Sequence, residues 1–110
     1  MNAAKKIHEV APIARNGKQV VYIAGKVTGL PRMEVLRNFL TAERELTNKG
    51  YQTINPVRLV HPDASWQDAM RICLSFLPHA DYIFLLHNWK DSAGARLELV
   101  IAERLGIVSI

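Results

Sequence analysis

Short apolar runs alternate with helix-length amphipathic stretches from residue 20 to residue 110, and this alternation restricts the fold more than any other feature. Residues 20–24, VVYIA, are rich in β-branched side chains and stop at Gly25, which predicts a buried strand. Val35, Leu36, Phe39, Leu40, Ala42 and Leu46 then recur at helical spacing, with Gly50 as the stop. Residues 51–54 predict a second strand closed by Asn55-Pro56. Ser65-x-x-Asp68 resembles a capping box opening a second helix with Met70, Cys73, Leu74 and Leu77 as its apolar positions, ended by Pro78. A third strand, 82–86, carries no charge. Ser92 caps a third helix whose apolar positions are Leu97, Val100, Ile101 and Leu105, with Gly106 as its stop, and 107–110 form a short last strand.

Strands apolar on both faces and separated by helices call for a parallel sheet covered on two sides, with right-handed crossovers. The expected fold is α/β, a shortened flavodoxin-like (Rossmann-like) three-layer sandwich with four parallel strands in the order 2-1-3-4. In such sheets ligands bind at the carboxyl ends of the strands, near the reversal between strands 1 and 3. Residues 1–18 lack a clear period and are expected to form a mobile arm, leaving 19–110 as one domain.

Composition narrows the class further. Hydrophobic residues make up 49% and charged residues 22%, which argues against disorder and against a coiled coil. The apolar stretches fall far short of the roughly 20 residues a bilayer requires, so no membrane partner is expected. Residues 1–18 contain Lys5, Lys6, Glu9, Pro12, Arg15 and Lys18 and no signal-peptide core. The single cysteine, Cys73, permits no intrachain disulfide, which fits a cytoplasmic location. The net charge of +4 suggests nucleic acid only at first sight. Residues 1–18 supply +3 of it, and the remaining arginines are spread along the chain without forming a basic run.

The carboxyl edge selects the candidate site. It holds Gly25, Lys26, Val27, Thr28 and Gly29 after strand 1, Asn55 after strand 2, and residues 87–92 after strand 3, including Trp89 and Asp91. The 25–29 loop offers backbone N–H groups to an anion, with Lys26 as counter-charge; taken alone, glycine after a first strand is more often a tight turn than a site. Ser92-Ala93-Gly94 opens the third helix, where a hydroxyl and free N–H groups suit a phosphate or carboxylate. Glu98 lies on the small-residue row Gly94, Glu98, Ala102 and has no Lys or Arg three or four residues away. On that pattern alone a solvated glutamate is a commoner explanation than a functional one.

Heights along the sheet distinguish the two. Glu98 sits about 9 Å below the start of its helix at 1.5 Å per residue. Cys73 sits about 12 Å up from the opposite edge on the same rise, and the third strand spans about 20 Å. In the order 2-1-3-4 the second and third helices share a face, so Glu98 and Cys73 come to one level with Tyr22 beneath them. Cys73 is otherwise a buried core thiol, and Trp66 and Trp89 are otherwise packing residues, although Trp89 lies where it could stack on a base. His8, His61, His79 and His87 have no metal-ligand spacing, so no metal is expected. The 25–29 loop matches neither the P-loop nor the dinucleotide fingerprint, no nucleophile elbow exists, and no cofactor is expected.

Tyr22-Ile23-Ala24-Gly25, Gly50-Tyr51, Asn55-Pro56 and Trp89-x-Asp91-Ser92-x-Gly94-Ala95-x-x-Glu98, followed by Ala102 and Leu105-Gly106, resemble the nucleoside 2-deoxyribosyltransferase superfamily. The likeness runs from residue 20 to residue 110 and is greatest to small phage and bacterial members of unassigned function. It implies a glutamate nucleophile, here Glu98, that attacks the sugar C1′ and forms a glycosyl-enzyme, resolved by water or a second base. It further implies that Tyr22 orients the nucleophile, that the 25–29 loop and Ser92 hold the sugar or its 5′-phosphate, and that the protein is a homo-oligomer. Active relatives place an aspartate at the position of Cys73, which makes it an altered catalytic position. The function expected from the resemblance is cleavage or transfer of the N-glycosidic bond of a nucleoside or nucleotide. The alternatives are a nucleotide-binding module that has lost the reaction and a structural or regulatory protein with a vestigial pocket.

Overall fold

The computed structural model describes residues 16–110, so most of the arm expected over 1–18 lies outside the described residues. Strand β1 is Val20–Ala24, β2 is Gln52–Ile54, β3 is Tyr82–Leu85 and β4 is Val108–Ser109. Helix α1 is Arg32–Asn48, α2 is Pro56–Leu59, α3 is Trp66–Phe76 and α4 is Ala93–Arg104. The four strands form one sheet in the order β2-β1-β3-β4, and every pairing is parallel. The fold is thus the shortened Rossmann-like α/β sandwich that the alternation calls for.

β1 is the spine of this sheet. It pairs Val20 with Gln52 and Tyr22 with Ile54 on one side, and Val21 with Tyr82 and Ala24 with Leu85 on the other. All five of its residues are fully buried, as a strand covered on both faces must be. Period-2 alternation sends Val21 and Ile23 toward Val35, Phe39, Ala42 and Leu46 of α1. Val20, Tyr22 and Ala24 go to the other side, with Cys73 of α3 and Ala95 and Ala102 of α4. At the amino edge the Val20 N–H donates to Asp81 Oδ2 at 2.8 Å, which makes Asp81 a strand cap.

Helix ends follow local chemistry. Ser65 Oγ accepts from Asp68 N and Ser92 Oγ accepts from Ala95 N, each at 3.1 Å. Gly50 and Gly106 take positive φ, and Tyr51 N and Ile107 N reach back to Leu46 O and Ala102 O. These contacts complete Schellman-type stops that only a residue tolerant of φ > 0 allows.

Three expectations are corrected. The four-residue helix α2 stands where only a strand end was expected; Asn55 caps it through Val57 N, and Pro56 occupies its first turn. β2 begins at Gln52 and β3 ends at Leu85, each one residue shorter than expected, and β4 keeps only Val108–Ser109 of the expected 107–110. The larger correction concerns α4. Leu97, Val100 and Leu105 are exposed, whereas Gly94, Ala95, Glu98 and Ala102 are the buried row. Small side chains let the helix backbone approach the central strands, so the bulky residues are left outside. No helix among the described residues is long and apolar enough to cross a membrane.

Candidate functional site

A cavity of about 600 Å³ opens at the carboxyl edge of the sheet, between the β1–α1 loop, the segment from α2 to the start of α3, and the first turns of α4. At its closed end lies a buried trio. The Tyr22 hydroxyl donates a hydrogen bond to Glu98 Oε2. Tyr22 also interacts with the Cys73 thiol. Tyr22 comes from β1, Cys73 from α3 and Glu98 from α4, so one level of the sandwich gathers three elements, as the helix and strand rises predict.

Burial dominates the electrostatics there. Glu98 is only 5% exposed, and loss of water raises its pKa to about 7, against the lowering effect of the Tyr22 hydrogen bond. Burial pushes the Cys73 thiol up to about 11, with Glu98 adding to the rise and the Tyr22 hydrogen bond opposing it. Burial first, and then the Glu98 charge, holds the Tyr22 phenol well above its ordinary value. Tyr22 and Cys73 therefore stay protonated at neutral pH, while Glu98 exchanges its proton there. Tyr22 occupies Oε2, and no other hydrogen bond to the carboxylate is made among the described residues. Oε1 remains for a ligand in a residue that lines the cavity.

The rim is built from turns. Leu30 N donates to Val27 O at 3.3 Å, and Gly29 between them has φ +87°, a conformation that favours glycine. Gly25 is required by packing, since a Cβ there would stand 2.4 Å from Leu86 Cδ1. A Cβ on Gly94 would meet Met70 Sδ at 3.1 Å, so this glycine lets the start of α4 lie against α3. Ser92, Gly94 and Ala95 bring the amino end of α4 to the cavity.

Of the expected site residues, Gly25, Thr28, Gly29, Cys73, Ser92, Gly94 and Glu98 line the cavity. Tyr22 reaches it through Glu98. Lys26, Asn55, Trp89 and Asp91 do not line it. Lys26 ties the loop down through its backbone, donating from N to Asn88 Oδ1 at 3.0 Å. Asn55 is buried, its Oδ1 accepting from Val57 N and its Nδ2 donating to Glu43 Oε2, so both ends of the amide are used. Trp89 packs against the core with Lys90 Nζ 5.8 Å from its ring centroid. Asp91 ends an exposed 3-10 turn, its N–H donating to Asn88 O. The cavity instead takes Arg32, Val60, His61, Asp63, Trp66 and Met70. The helical start signal Asn55-Pro56 was the one clue to this wall, because a chain that turns there cannot run straight from strand 2 to α3.

Residues 19–110 match the model of a family described as a domain of unknown function (DUF4406). The chain belongs to this family. No curated protein and no solved structure matches it. In this DUF4406 domain the match starts one residue before β1 and runs to the end of the described chain, so it includes the whole sheet and every cavity-lining residue. Among the described residues no group of three metal-ligating side chains occurs.

Proposed function

We propose that the cavity binds a nucleoside or nucleotide and that Glu98 cleaves or transfers its N-glycosidic bond. The observation that carries this reading is the Tyr22–Glu98 hydrogen bond at the closed end of the cavity, with the second carboxylate oxygen left open. Glu98 Oε1 donates an electron pair to the sugar C1′ as the C1′–N bond breaks, and that bond's electron pair leaves with the base. A desolvated carboxylate next to an oxocarbenium-like centre stabilises the developing positive charge, and the resulting glycosyl ester is resolved by water or an acceptor base. Tyr22 holds Oε2, so the attacking oxygen keeps one orientation. The free N–H groups of α4 and of the 25–29 loop suit the oxygens of the sugar or of a 5′-phosphate. The neutral Cys73 thiol adds no negative charge beside Glu98, and an aspartate there would raise the carboxylate further.

A second reading rests on the same cysteine. With a thiol where the active enzymes of the resembled superfamily carry an aspartate, the cavity would bind a nucleotide without turning it over. Incubation with a panel of nucleosides and 2′-deoxynucleoside 5′-phosphates, with free base read by chromatography, separates the two. Base release that is lost in Glu98→Gln supports the enzyme. Calorimetric binding with no release from any substrate supports the binding module, and neither binding nor release refutes both.

A further inference from the structure

We infer that the cavity takes a nucleoside or nucleotide whose base already carries a positive charge, a pyridinium or an N7-alkylated purine. This inference rests on the N-glycosidic reading above. Charge balance at Glu98 carries it. Glu98 is buried and lines the cavity, and among the described residues only the Tyr22 hydroxyl hydrogen-bonds to its carboxylate and no ion pair reaches it. A buried carboxylate without a cation is costly, and a cationic ligand beside it removes that cost. Trp66 lines the same cavity, partly exposed, and an indole attracts a cationic ring more strongly than a neutral one.

The chemical step favours the same class. With a cationic base, an electron pair of Glu98 Oε1 forms the ester bond to C1′, and the C1′–N pair passes to the ring nitrogen and cancels its charge. Carboxylate and cation both become neutral, which a site poor in water favours, and no proton is needed. Water then opens the ester and returns Glu98 as its acid, which yields the proton to solvent. With a neutral base the negative charge of Glu98 would move onto the departing base, which then requires an acid. The closed end has no proton to give. That of Tyr22 is engaged on Glu98, and burial holds that of Cys73 with a pKa of about 11. The other ionisable lining residues are Arg32, which keeps its proton, and His61 and Asp63, exposed side chains that face each other with Nδ1 3.8 Å from Oδ2.

The test uses two pairs that differ in the charge of the base: N7-methylguanosine against guanosine, and nicotinamide riboside against its neutral dihydro form. Each is offered as riboside and 2′-deoxyriboside, with and without a 5′-phosphate, and the two pairs separate a purine from a pyridinium source. Base release is read by chromatography as kcat/KM divided by the spontaneous rate constant, so that the greater lability of the cation is removed. In at least one pair this acceleration should be about 10²-fold or more greater for the cationic member, because the neutral one lacks the 10²- to 10⁴-fold that an acid supplies. Cys73→Asp, which sets a carboxyl group at the closed end, should narrow the gap by raising the neutral member. Equal acceleration of both members in both pairs, or equal gains from Cys73→Asp, would overturn the cationic assignment while Glu98-dependent release still stands. No release from any member removes the assignment and the N-glycosidic reading together.

Discussion

Glu98 sits at its buried position at a cost to the fold that depends on pH. Its pKa is raised to about 7 in the folded protein, above the ordinary carboxylate value of 4.5. Between these values the folded state binds more protons than the unfolded one, so stability falls as pH rises from about 4.5 through 7 and then levels off. The shift corresponds to about 3 kcal/mol across that window. Urea unfolding at pH 5 and pH 8 should show the fall, and Glu98→Gln should flatten it; an unchanged slope in the variant would assign the effect elsewhere. For activity the sign reverses, because attack needs the carboxylate, so base release should rise with pH through about 7. Tyr22→Phe removes the hydrogen bond that lowers the Glu98 pKa, and the acid limb should move up by about one to two pH units.

At the scale of elements, the cavity depends on how α4 starts and on how closely the 25–29 loop lies against Leu86. Ser92→Ala removes the acceptor of Ala95 N and should cost about 1 kcal/mol in urea unfolding, while also withdrawing a hydroxyl from the cavity. Gly25→Ala forces a methyl group against Leu86, at 2.4 Å from Cδ1 and 2.8 Å from Cβ. That overpacking should destabilise by about 1–3 kcal/mol and displace the β1–α1 loop from the cavity. The wall formed by α2 is anchored differently. Glu43 of α1 accepts from Arg58 Nε at 2.7 Å and Nη2 at 2.6 Å, and from Asn55 Nδ2 at 3.1 Å. The Arg58 contact holds the Glu43 carboxyl below its ordinary range. Asn55 therefore shapes the site through the wall it caps.

For the whole molecule, ligand and assembly are read by stability and mass. A nucleotide that binds only the folded state should add about 2.7 kcal/mol to the unfolding free energy at a hundred times its Kd, and no shift from any nucleotide would count against the cavity as its site. The sandwich is covered unevenly. Among the described residues α1, with Val57 of α2, covers Val21 and Ile23, while α3 and α4 share the other side, and Val100, Leu105, Val108 and Ile110 remain exposed. The homo-oligomer implied by the superfamily resemblance would bury part of that apolar surface. Light scattering at micromolar concentration should then read a multiple of the chain mass, and a monomer would refute the assembly.

Elements and their order were legible in the sequence because they follow from local rules. Period-2 and period-3.6 patterning, Ser65 and Ser92 as caps, and Gly50 and Gly106 as stops act over a few residues. Apolar strands joined by helices then leave few topologies. The level shared by Tyr22, Cys73 and Glu98 was legible too, since it needs only the rise per residue and the strand order. The rest depended on which surfaces meet. α4 buries its small-residue row because close approach to β1 and β3 excludes Leu97 and Val100, and hydropathy alone ranks those residues the other way. Lys26, Asn55, Trp89 and Asp91 stand at the carboxyl edge as their positions require, yet side-chain hydrogen bonds to Val57 and Glu43 hold Asn55 in the wall and core packing holds Trp89, while Lys26 and Asp91 engage Asn88 through their backbone N–H groups. His61 and Trp66 reach it only because the short α2 folds the chain back over the sheet. Periodicity sets which face a residue occupies; only tertiary packing sets what that face meets.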